Sequence, residues 1–166
     1  MKDQVLSIDQ MRHLRDLGVD TQEASVVHLF EDEEGNYIDY DEAEALREEI
    51  VVLDRYYDAE MGNYDHSFRM DSGVFTLQDL LNVIPSRVFS RSNEVFSLRI
   101  ERCIDEWGVY YGTTEDSDGS KLSTPIYGDT LLEAAYEMLC YLAENKLLEK
   151  EKMNLNNMRD EAFKIA

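Results

Sequence analysis

Apolar positions recur at helical spacing in several stretches of this chain and alternate with polar ones in others. Ile8, Met11, Leu14 and Leu17 lie on one side of a helix, with Arg12 and Arg15 between them. Ser7 stands where an N-cap belongs, and Gln10 follows three residues later as in a capping box. Gly18 supplies the stop, so a helix is predicted from about Ile8 to Leu17. Ala24 to Phe30 is rich in β-branched and large apolar residues. The turn Glu31 to Asn36 follows, and Tyr37 to Tyr40 can return as a second strand. That order predicts a β-hairpin, with Gly35 and Asn36 able to take positive φ.

From Asp41 the pattern predicts a helix. Ala43, Leu46, Ile50, Leu53 and Tyr57 form a heptad-like seam, and Glu42, Glu44, Glu48, Glu49 and Asp54 face outward. Asp58 to Gly73 has no periodicity and reads as a long loop. Thr76 caps a short helix through Val83 that ends before Pro85. Phe96, Leu98 and Ile100 alternate with Ser97 and Arg99, predicting a strand from about Glu94 to Cys103. Asp105-Glu106 turns the chain. Trp107, Val109 and Tyr111 continue as a paired strand with Tyr110 on its other face. Leu122 to Tyr127 is a candidate third strand, at an edge because of Pro125. Asp129 or Thr130 then caps the best-patterned helix, from Leu131 to about Asn145. Leu147 to Ala166 reads as a more polar terminal helix.

The expected fold is therefore α+β: a small antiparallel sheet of about three to five strands packed against amphipathic helices. Residues 1–148 read as a single domain and 149–166 as a C-terminal helical extension. The order helix, strands, helix from Thr76 to Asn145 is also that of double-stranded-RNA-binding domains. Their second helix is basic, whereas here it carries Glu133, Glu137 and Glu144.

Three blocks resemble a group of small uncharacterised proteins of gut Bacteroides-type bacteria, often associated with phage or mobile elements. They are Leu6-Ser7-Ile8-Asp9-Gln10-Met11-Arg12-His13-Leu14 with Leu17 to Thr21, Phe75 to Leu81, and Asp129-Thr130-Leu131 with Ala134 to Cys140. The resemblance covers about half the chain and implies no activity, cofactor or catalytic residue. The stretch Asp41 to Ser72 and the tail after Leu148 are longer than in that group.

Charge sharpens the picture. The chain has 166 residues, 36 acids, 16 bases and a net charge of −20. Residues 1–60 hold 18 of the acids and 5 of the bases. Phosphate binding needs clustered Lys and Arg, so direct nucleic-acid binding is disfavoured, as is docking on an anionic membrane. No apolar run approaches the ~20 residues of a membrane span. The start, Met1-Lys2-Asp3-Gln4-Val5, has no signal-peptide pattern. Cys103 and Cys140 lie in no metal-type spacing and read as free thiols in a reducing cytoplasm.

Candidate chemistry is sparse. His13, His28 and His66 form no HxH or HExxH pair. Thr114-x-Asp116-x-Asp118-Gly119 imitates half a calcium loop, but Thr114 and Pro125 stand where acids are required. There is no phosphate-binding glycine loop, no GxSxG and no dinucleotide fingerprint. No catalytic residue, metal site or cofactor is assigned. The expected function is that of a non-enzymatic accessory or protein-interaction protein of a bacterial mobile element. Its candidate contact residues are Glu42, Glu44, Glu48, Glu49, Trp107 and Tyr110, and its candidate partner is a basic protein. An acidic mimic of DNA and an enzyme with dispersed acids are the alternatives. The seam Ala43–Leu46–Ile50–Leu53 can close the core or build a homodimer.

Overall fold

A computed structural model describes residues 4–34, 37–38, 47–52, 73–89, 94–113 and 124–148. The fold is α+β. The chain divides into two compact units, Met1–Asp79 and Leu80–Ala166. Among the described residues each contains an antiparallel sheet of four strands, where the sequence pattern predicts one small sheet.

The first unit opens with α1 (Ile8–Asp16). Its predicted capping box is formed: Ser7 Oγ accepts from the Gln10 backbone N–H, and Gln10 Oε1 accepts from the Ser7 N–H. Ile8, Met11 and Leu14 are buried, as their spacing requires. Gly18 follows with φ of 81°, a left-handed conformation that favours glycine. The sheet consists of β1 (Val26–Glu31), β2 (Tyr37–Ile38), β3 (Arg47–Val52) and β4 (Gly73–Val74). β1 pairs with all three others. The predicted hairpin is present, with Phe30 opposite Ile38 and Glu31 opposite Tyr37.

The helix predicted from Asp41 is not formed at 47–52. These residues are strand β3, with Val26 opposite Val52, His28 opposite Ile50 and Phe30 opposite Glu48. Two physical reasons account for this. A spacing of four, as between Leu46 and Ile50, fits one helical turn but also two strand steps. Ile50-Val51-Val52 is β-branched, which favours a strand, and as a strand it pairs along the whole of β1 and satisfies the backbone groups of that edge. Glu42 and Glu44 lie outside the described residues, as do most of the loop predicted at 58–73, the Thr114 to Gly119 loop, His66 and the 149–166 extension. Gly73, at the end of that predicted loop, is part of β4.

α2 (Leu77–Val83) carries the chain from one unit into the next. In the second unit the sheet runs in the order β5 (Arg87–Phe89), β6 (Val95–Arg102), β7 (Trp107–Gly112), β8 (Ile126–Gly128). β6, β7 and edge strand β8 match the predicted strands, and β5 is additional. α3 (Leu131–Glu144) is capped by Thr130, whose Oγ1 accepts from the Glu133 N–H, and packs on β7 and β8. Its buried Ala135, Met138, Leu139 and Leu142 cover Val109 and Tyr111, both fully buried. The Tyr111 hydroxyl donates to the Pro85 carbonyl, so the one polar atom of this core ring is satisfied.

Among the described residues, no helix is long and apolar enough to cross a membrane.

Candidate functional site

Strand pairing in the first unit gathers acids at one end of its sheet. β1 ends at Glu31 and leads into Asp32, Glu33 and Glu34, the last two exposed. Asp32 Oδ1 accepts from the Glu34 N–H at 2.9 Å, which tightens the turn. The antiparallel register then brings Glu48 opposite Phe30 and Glu49 opposite Leu29, with Arg47 opposite Glu31. Two of the four glutamates expected on a helix are thus strand residues beside the β1–β2 turn.

Glu48 has a specific neighbour. Its Oε2 lies 3.2 Å from His28 Nε2, and the His28 ring stacks at a tilt on Phe30 with centroids 4.4 Å apart. His28 is opposite Ile50, so the contact is the diagonal one across β1 and β3. His28 Nδ1 is buried and has no hydrogen-bond partner. The Nε2–H tautomer fits both facts: it donates to Glu48 and leaves no buried N–H unsatisfied. Two ligands do not make a metal centre, and the described residues hold no group of three or more His, Cys, Asp or Glu that could bind one.

The second unit carries the two aromatic candidates on opposite faces of β7, as strand parity dictates. Trp107 lies on the α3 side, with the Arg102 guanidinium 5.6 Å from its ring centroid. Tyr110 lies on the outer side, opposite Arg99. Its hydroxyl donates to Glu101 Oε2 at 3.4 Å. Partial loss of water, and then the negative charge of Glu101, raise its phenol above the ordinary value. Tyr127, opposite Gly108 and 45% exposed, completes this outer face. Sequence spacing alone could not have found Tyr127, because β8 joins the sheet only through tertiary pairing.

The cysteines are free: Cys140 buried on α3, Cys103 half-buried beyond β6. Burial pushes the Cys140 thiol up, and a hydrogen bond with Tyr136 offsets part of that. Raised in the folded state, the thiol favours folding below the unfolded thiol's pKa. That contribution is lost as pH rises through the folded value. The thiolate is the reacting form. Alkylation of the folded protein at mildly alkaline pH is therefore expected to be at least about tenfold slower at Cys140 than at Cys103. Mass mapping after a timed iodoacetamide pulse reads the ratio, and equal labelling would count against a sealed α3.

Compared with known protein families, characterised proteins and solved structures, the chain matches none.

Proposed function

We propose that this protein is a non-catalytic interaction protein that binds a basic partner through the acidic end of its first sheet. The observation that carries this reading is the β1–β3 register, which sets Glu48 and Glu49 beside the Glu31–Glu34 turn. Acidic residues concentrated by register at one sheet end give local charge complementarity to a Lys- or Arg-rich surface. They also raise the rate of encounter with it. An accessory role in a bacterial mobile element rests on the three-block sequence resemblance. Mimicry of DNA by a helical ridge loses its scaffold at 47–52, where the backbone is a strand.

The test is affinity capture with the intact protein and a Glu33→Gln/Glu34→Gln/Glu48→Gln variant. All three residues are exposed, so folding should be retained and is checked by circular dichroism. A basic protein retained by the parent at low salt, lost by the variant and released as salt rises supports the reading. Identical capture by both proteins, or no salt dependence, overturns it.

A further inference from the structure

The outer face of the second sheet is the reverse of the chain's general character. On β6 and β5, Val88, Phe96 and Leu98 turn toward the α3 side, so Arg87, Ser97, Arg99 and Glu101 turn outward. Arg87 pairs directly with Ser97, and Arg99 is two residues further along the same strand. The two guanidinium groups are therefore diagonal neighbours on adjacent strands, their Cβ atoms about 7 Å apart. Both residues are exposed, and neither makes an ion pair with a described residue. Glu101, the outward carboxylate on this strand, is engaged by the Tyr110 hydroxyl. In a chain with 36 acids and 16 bases, two adjacent arginines with no ion pair among the described residues are a local positive charge. Two like charges at this separation repel, and an anion seated between them relieves the repulsion.

The rest of the face is flat and aromatic. A Cβ at Gly108 would sit 3.0 Å from Tyr127 Cε1, and one at Gly112 would sit 3.4 Å from Tyr110 Cε2. Both tyrosine rings thus lie down over glycines, with a ring surface left toward solvent. Val95, 41% exposed, adds an apolar position beside the arginines.

We propose that this face docks an extended acidic protein segment, with carboxylates from alternate positions on Arg87 and Arg99 and the continuation of the segment crossing Tyr110 and Tyr127. Alternate side chains of an extended chain repeat every ~7 Å, which matches the arginine diagonal. Arginine binds carboxylate in a two-pronged geometry that a lysine cannot copy. The net charge of −20 does not forbid this, because at physiological salt charges beyond about 8 Å are screened. A nucleic-acid strand fits less well. It needs cations along its length, and Glu101 stands among the phosphates it would present.

The experiment titrates the full chain into a fluorescein-labelled (Glu-Ala)5 peptide and reads polarisation, with (Gln-Ala)5 as control. Saturable binding of the acidic peptide is expected, with about tenfold weakening in each of Arg87→Gln and Arg99→Gln. Arg99→Lys should recover little, and the Glu33/Glu34/Glu48 variant should bind as the parent does. Peptide-dependent NMR shifts at Gly108 and Gly112 give a second reading that needs no variant. Equal binding of (Gln-Ala)5, or unchanged binding by the arginine variants, overturns the proposal. So does tighter binding of a single-stranded RNA of similar length. A dimer in light scattering that dissociates on Arg99→Gln also overturns it, by assigning the face to a second copy.

Discussion

Replacing Asp79 by alanine is expected to destabilise the protein by about 3 kcal/mol or more, the largest effect of any single polar substitution among the described residues of the first unit. Asp79 is 8% exposed. Its Oδ2 accepts from Ser25 Oγ at 2.6 Å, Thr76 N at 2.8 Å, Thr76 Oγ1 at 2.9 Å and Ser25 N at 3.3 Å. In return its own N–H donates to Thr76 Oγ1 at 3.2 Å. The Thr76–Asp79 half of this is a helix-capping exchange for α2. The Ser25 half is long-range, and it ties the residue before β1 to the start of that helix. Alanine removes one acceptor and strands several donors, and each stranded donor costs desolvation rather than the small net value of a hydrogen bond. Asp79→Asn retains one carbonyl acceptor and should lose less. Chemical denaturation of the two variants tests this: a midpoint for Asp79→Ala within error of the parent would refute the account.

Gly128→Ala is the second. A Cβ at Gly128 would stand 2.7 Å from the backbone N of Ala134 and 3.2 Å from its Cα. Both obstacles belong to the first turn of α3, so relief requires β8 and the helix to separate. Separation would also loosen the cover over Val109 and Tyr111. The expected cost is about 2–3 kcal/mol. Gly108→Ala is the informative contrast. Its Cβ meets the Tyr127 ring at 3.0 Å, but that ring is an exposed side chain that can swing away. Its cost should stay near 1 kcal/mol. Thermal unfolding of the pair reads the difference directly. Equal losses would mean that the neighbour's rigidity does not matter.

The first effect depends on a contact that no sequence window contains. Asp79 and Ser25 are 54 positions apart, and nothing around either announces the other. Thr76-x-x-Asp79 does have the capping pattern, so half of that network was legible. The acidic candidate site divides in the same way. Its charge is plain in the composition of residues 31–49, but its shape depends on whether 47–52 is helix or strand. A helix would set Glu48 on its outward side, whereas the strand sets it opposite Phe30. Tyr110 was placed correctly because the Trp107–Tyr111 alternation is strict, and parity alone puts it on the face opposite Trp107 and Tyr111. Arg87 on β5 and Tyr127 on β8 reach the same face only through strand pairing.

The sequence by itself determined α1, α3 and the β6–β7 hairpin. In each, cap, period and turn residues act within a few positions, so local free energy and final structure agree. The tertiary structure alone decided that 47–52 is a strand, that two four-stranded sheets form rather than one, and which side chains share an outer face. The physical reason is that a strand's backbone hydrogen bonds are made to other strands. An ambiguous segment such as Arg-Glu-Glu-Ile-Val-Val takes its conformation from the edge it can pair with, here the whole length of β1.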